Sequence, residues 1–209
     1  VEVIPISDKN IKFINIADKD EEQYYHIFFD DGKEEINRNY IKEGETISKI
    51  KIKIDYQIKS FLGLFEECKC IKTISFTKFN RTNINNTSGM FIKCSSLKKI
   101  NFNEFRTDNV IKMNCMFSGC TSLEELDLSK FNTKNVISMN GLFFESSLKE
   151  INLSNFNTEK VTDMTAMFYD CSSLEKINIS SFNTENVKDI KYMFYNCSSL
   201  KEINVSNFN

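Results

Sequence analysis

The chain contains one histidine, one proline, six glycines and no tryptophan. The scarcity of histidine weighs against nucleophilic catalysis, because a cysteine or serine nucleophile needs a neighbouring base, most often an imidazole. His26 itself sits in an apolar run from Tyr24 to Phe29, where a structural role is the simpler reading. The six glycines form no loop able to cradle a phosphate. No stretch approaches the ~18–20 apolar residues of a membrane helix. A net charge of −2 and a pI near 5.7 leave no basic footprint, so nucleic acid is not an expected partner. The acidic runs Glu124-Glu125 and Asp18 to Glu22 do not have the spacing of an EF-hand. A non-enzymatic protein without cofactor or metal is therefore expected.

What the chain does have is repetition. Phe65, Phe91, Phe117, Phe143, Phe168 and Phe194 follow one another at steps of 26, 26, 26, 25 and 26 residues. Other columns keep step: Ile71, Leu97, Leu123, Leu148, Leu174 and Leu200; Ile74, Ile100, Leu126, Ile151, Ile177 and Ile203; Phe76, Phe102, Leu128, Leu153, Ile179 and Val205. A fixed period of this size marks an array in which each unit buries its apolar face against the next.

Each unit divides into two halves. The LxxLxL half, as in Leu123-Leu126-Leu128, ends in period-2 alternation and predicts a short strand. The other half places Val161, Met164, Met167 and Phe168 at helical spacing, with Thr158 and Thr184 as N-caps and Glu159 and Glu185 in the first turn. The expected fold is an α/β repeat solenoid on the leucine-rich-repeat plan, with a parallel sheet on one face and short helices on the other. The array is expected over 47–209. Ile47, Ile50 and Ile52 would form a degenerate first strand, and Ile58, Phe61, Leu64 and Phe65 its helical half. Residues 1–46 do not follow the period; Ile11-Ile14-Ile16 and the Tyr24 to Phe29 run suggest strands, and Asp31-Gly32 a hairpin turn. They predict a β-rich N-terminal cap, with a separate small domain as the alternative. The chain starts at Val1 and stops at Asn209 in mid-phrase, as a processed or truncated piece of a longer one would.

The composite phrase MFxxCSSLxxIxLSxFNTxNVxxM, over residues 58 to 209, resembles the BspA-like leucine-rich-repeat surface proteins, and within them the mycoplasma-type lipoprotein branch. Arg81 and Arg106 disturb its Phe-Asn-Thr segment, and Thr87 stands where its methionine would be. The resemblance implies a cell-surface or secreted protein for adhesion or recognition. An intracellular scaffold subunit is the alternative.

Five of the seven cysteines share one column: Cys68, Cys94, Cys120, Cys171 and Cys197. One sulfur per layer fits a buried ladder of small apolar groups, ahead of interlayer disulfides or a metal. Cys70 and Cys115 fall off the column and are the candidates for a reactive or pairing thiol. The Ser-Ser pairs 95–96, 172–173 and 198–199 recur before each strand, where hydroxyls serve turns.

Strand alternation leaves an outward strip as the candidate site. Its centre reads Ser75, Asn101, Asp127, Asn152, Asn178 and Asn204, and beside it run Lys99, Glu125, Glu150, Lys176 and Glu202. A protein or glycan ligand would suit this polar surface. Stacked Asn and Ser side chains bonding along the sheet would explain it without a ligand. Tyr169, Tyr192 and Tyr195 form a second candidate contact patch.

Overall fold

The structure is a computed structural model that describes residues 1–6 and 11–208. The repeats stack in parallel, one above the next. Two short strands, here called β6 (Ile71–Ser75) and β7 (Lys99–Asn101), pair with Ile74 facing Ile100, and β8 (Glu150–Asn152) and β9 (Lys176–Asn178) pair with Ile151 facing Ile177. Between them the ladder thins. The expected strand at Leu123-Leu126-Leu128 is reduced to one bridge, Lys99 to Glu125. A second parallel ladder runs along another edge through Ser60, Asn86, Lys112, Ser138, Asp163 and Asp189.

The expected helices are replaced by turns. Among the described residues the one helix is a 3-10 segment, Lys19–Tyr24, outside the repeats. In the first layer Phe61, Gly63, Phe65 and Glu67 donate their N–H groups to the carbonyls of Asn86, Ser88, Met90 and Ile92 in the next layer, at 2.7–3.0 Å. The alternate residues Leu64, Glu66 and Cys68 donate back three residues, to Phe61, Gly63 and Phe65. This pattern satisfies the backbone without any bond from residue i to i−4, so the segment is not a helix. Two residues per layer adopt left-handed φ, four apart: Gly63 and Glu67, Gly89 and Lys93, Cys115 and Gly119, Gly141 and Glu145, Ala166 and Asp170, Tyr192 and Asn196. Each sits third in a hydrogen-bonded turn, as in type II turns. The helical spacing of Val161, Met164, Met167 and Phe168 thus describes the inner wall of a series of turns, and all four are buried.

Thr158 accordingly caps no helix. It is 1% exposed and bonds to the next layer, while Glu159 and Glu185 donate their N–H groups to the side chains of Asn157 and Asn183 at 3.1 and 2.8 Å.

The N-terminal segment joins the first layers directly. With β1 (Glu2–Pro5), β3 (Tyr25–Phe29) and β5 (Ile50–Ile54), the strand order is β3-β5-β1-β6-β7. β1 runs antiparallel to both β5 and β6, so β5 is separated from β6 rather than stacked on it. β2 (Ile11–Lys12) and β4 (Tyr40–Ile41) make a small antiparallel pair. Gly32 N–H closes a turn onto Phe29 O at 3.0 Å, but β3 finds its ladder partner in β5.

The core is a set of vertical ladders. Phe65, Phe91, Phe117, Phe143, Phe168 and Phe194 stack with centroids 5.3–5.9 Å apart and planes within 10°. Phe79, Phe105, Phe131, Phe156 and Phe182 form a second buried column. Burying one such side chain contributes roughly 1.5–3 kcal/mol, and the rings meet both across layers, as Phe79 with Phe105, and within one, as Phe76 with Phe79 and Phe102 with Phe105.

Candidate functional site

The outward strip sits on the strand edge of the layers. Lys99, Glu125, Asp127, Glu150, Asn152, Lys176, Asn178, Glu202 and Asn204 are exposed, and Asn101 is half-buried. The charged column pairs across layers. Lys176 Nζ lies 2.6 Å from Glu150 Oε1, and Lys99 Nζ lies 4.0 Å from Glu125 Oε2. One position toward the turn, Lys98 meets Glu124 at 2.8 Å. Where the sheet thins, a cavity of about 280 Å³ opens between Lys99, Asn101, Asn103, Glu125, Asp127 and Lys130.

The central column is engaged locally. The side-chain oxygens of Asn101, Asp127, Asn152, Asn178 and Asn204 each accept the backbone N–H two residues on, at 2.9–3.2 Å. These are Asx turns, which end each strand and start the corner. The side chains do not ladder along the sheet through these oxygens. An oxygen acceptor on a short stem is what the corner requires, and Asp127 meets that need as well as asparagine does.

The groups that could do chemistry are buried or engaged. Thiols of Cys94, Cys120, Cys171 and Cys197 donate to the carbonyls of Phe65, Phe91, Phe143 and Phe168 in the preceding layer, at 2.9–3.2 Å. Burial pushes these thiols up, Cys120 to about 12 and Cys197 to about 11. In the fourth layer Ser146 occupies the cysteine place, 4% exposed and 3.5 Å from Cys171 Sγ. Off the column, Cys70 is buried, donates to Lys12 O at 3.3 Å and is pushed up to about 11 by burial. Cys115 is half-buried, forms no disulfide and donates to Asn140 O at 3.7 Å. His26 lies between two carboxylates, with Nδ1 2.9 Å from Glu35 and Nε2 3.4 Å from Asp55. Its pKa is raised, chiefly by the hydrogen bond to Glu35. Among the described residues no three His, Cys, Asp or Glu side chains converge as metal ligands, and no helix is long and apolar enough to cross a membrane.

Two structural columns escaped the sequence reading. Thr107, Thr133 and Thr158 are buried and link layers through their hydroxyls. The left-handed positions had a visible signal, since Gly63, Gly89 and Gly141 fall in one column and Gly119 in the other.

The sequence profile of a family described as a Mycoplasma protein of unknown function, DUF285, matches residues 59–150 and 126–209. Together the two matches span the repeats, in line with the mycoplasma-type branch that the repeat phrase resembles. A leucine-rich repeat protein from Bacteroides ovatus, solved by crystallography, is similar at 24% identity with a TM-score of 0.43. The similarity covers 61% of this chain, which spans 30% of the length of that protein. No curated protein matches.

Proposed function

The chain belongs to the DUF285 family, and from that premise we propose that it is a non-enzymatic protein-interaction module. The stacked layers make a solenoid from the turns at 58–68 onward, and the segment before them, β5 included, caps its first end. β1 supports the cap, because it lies along β6 and covers an edge that would otherwise offer unpaired backbone groups. The partner is a protein, met at the outward strip.

One observation carries this reading. Lys99, Glu125, Glu150, Lys176 and Glu202 are exposed in five successive layers, and the contacts of the first four along the strip are with one another. Exposed ion pairs of this kind contribute ~0–1 kcal/mol, so packing does not require them. The Asn and Asp column beside them has its turn oxygens committed, which leaves the charged column as the surface free to meet a partner. The BspA-like resemblance supports adhesion or recognition at the cell surface.

Two measurements test the proposal. Exchanging the pair as Glu150→Lys with Lys176→Glu keeps the interlayer attraction and inverts the surface. Melting should be unchanged, and a protein captured by the wild-type chain should be lost. Capture of the same protein by the exchanged chain would remove the strip from the reading. Labelling intact cells with a membrane-impermeant amine reagent should modify the exposed lysines; absence of label would place the protein inside and favour a scaffold role.

A further inference from the structure

The sheet comes apart at the third layer. In the first pair of strands Phe76 N–H reaches Asn101 O at 2.9 Å, and in the later pair Leu153 N–H reaches Asn178 O at 2.8 Å. On either side of the third layer the equivalent bonds, from Phe102 N–H to Asp127 O and from Leu128 N–H to Asn152 O, are absent among the described residues. Asp127 N–H likewise makes no bond back to the second layer, although Glu124 N–H still reaches Lys98 O at 3.3 Å. Paired layers stand on both sides of this break, so it lies in the interior of the array.

Between the second and third layers the break opens into the cavity of about 280 Å³, whose lining includes Ile100, Phe102 and Asp127. Three backbone groups there have no partner among the described residues: the N–H of Phe102, the N–H of Asp127 and the Asp127 carbonyl. In an intact ladder such groups satisfy one another, and where they part each needs another partner. The walls carry Lys99 and Lys130 with Glu125 and Asp127, two charges of each sign. Lys99 and Glu125 lie 4.0 Å apart, and Lys130 Nζ donates to Asn103 O at 3.4 Å.

That balance sets the chemistry of an occupant. A cation would leave the N–H groups unpaired, an anion would leave the carbonyl unpaired, and either would meet two like charges in the walls. A neutral group with a donor and an acceptor in one plane serves both needs, as a carboxamide does. A whole strand has no room to enter, because the turn ladder still ties these two layers together. Gly89, Phe91 and Lys93 donate to Asn114, Met116 and Ser118 at 2.7–3.0 Å. We propose that this cleft receives the side-chain carboxamide of a glutamine or asparagine of the partner protein, in place of the missing rungs of the sheet. This rests on the outward strip as the surface that meets the partner, and it names a residue type that the partner brings.

Tripeptides blocked at both ends, Gly-Gln-Gly and Gly-Asn-Gly, provide the probes, with Gly-Glu-Gly and Gly-Lys-Gly as controls of the same backbone. Titrated into isotope-labelled protein, a carboxamide peptide should shift the amide resonances of Phe102 and Asp127 saturably, and the charged peptides should leave them in place. The Asn103 side chain lines the mouth and makes no hydrogen bond among the described residues. Asn103→Tyr should therefore keep the melting temperature and weaken carboxamide binding about tenfold, the equivalent of two modest hydrogen bonds. Lys130→Gln leaves one carboxylate in the walls unbalanced, so the lysine peptide should then move the same two resonances. Equal shifts with all four peptides, no shift with either carboxamide, or undiminished carboxamide binding in folded Asn103→Tyr would overturn the proposal. So would a lysine peptide that behaves alike before and after Lys130→Gln, a comparison that does not need the Asn103 variant to fold. None of these measurements uses the Glu150–Lys176 pair. Loss of the captured protein on exchanging that pair, with no carboxamide effect at Phe102 and Asp127, would remove the cleft and leave the strip.

Discussion

The Thr158 hydroxyl and the Asn183 backbone, one layer apart, hold each other by two hydrogen bonds. The hydroxyl donates to the Asn183 carbonyl and accepts from the Asn183 N–H, both at 2.8 Å. Thr133 does the same with Asn157, and Thr107 with Asn132, at 2.8–3.0 Å. At this corner the strand ladder has ended and the turn ladder has not begun. A buried hydroxyl supplies the partners that neither provides.

Thr158→Val keeps the shape and removes both bonds, leaving the Asn183 N–H and carbonyl unpaired in a buried place. The expected loss is about 1–3 kcal/mol in chemical denaturation, with most of it recovered by Thr158→Ser. A loss below the error of the measurement would show that the corner is wet.

The left-handed column makes opposite predictions for glycine and alanine. Ala166→Gly should stabilise by about 0.5–1 kcal/mol, because φ there is 52°. Gly89→Ala should destabilise by about 1 kcal/mol or more. Its φ is 63°, and the added Cβ would meet Ile92 Cδ1 at 2.9 Å. Thermal melts of the two variants should shift in opposite directions.

Asn152→Asp should melt with the wild type, since only the oxygen that accepts Ser154 N–H is used in the corner and Asp127 already serves this role one layer earlier. Asn152→Leu should cost about 1 kcal/mol through loss of that bond. Equal melting of both variants would return the column to the surface as a free binding element.

Thiol titration tests the cysteine ladder. The thiolate is the reactive form, and burial pushes Cys94, Cys120 and Cys171 up from the ordinary thiol range, Cys120 to about 12. An aromatic disulfide reagent near pH 8 should modify half-buried Cys115 and Cys197 first, and Cys68, Cys94, Cys120 and Cys171 only after denaturation. Cys171→Ser should be tolerated with a loss under about 1 kcal/mol, as Ser146 already holds the equivalent place. Rapid reaction of those four buried thiols in the folded protein would contradict the ladder.

His26 gives a pH signature. Its pKa in the fold is raised above 6.5 by its hydrogen bond to Glu35, aided by Asp55. Its stabilising effect is therefore complete below pH 6.5 and fades as pH rises through the higher folded value. The melting difference between wild type and His26→Gln should be largest near pH 6 and shrink toward pH 8. A difference that grows with pH would refute the pairing.

The repeat was legible because it rests on column identity. The apolar columns face inward through the stack, and the cysteine column lies within the core from Cys68 to Cys171. The turns were misread as helices because Val161, Met164, Met167 and Phe168 have spacing that suits a helix as well as the inner wall of stacked turns. The glycines at 63, 89 and 141 held the distinguishing signal, since an α-helix does not call for a glycine at a left-handed position once per repeat. The strip was placed on the outside correctly, but the role of its asparagines was not visible, because an Asx turn and an open binding residue can use the same amino acid.

Sequence alone determined the period, the parallel stacking of like residues and the inward face of each layer, because burial of a repeated apolar pattern admits few alternatives. Tertiary structure decided the rest. Whether a buried N–H bonds four residues back or 25 residues ahead depends on whether a neighbouring layer stands close enough to accept it. The insertion of β1 between β5 and β6 likewise depends on pairing between residues about 50 and 70 positions apart in the chain. Local propensity does not encode such distances, and only the assembled stack supplies the partners.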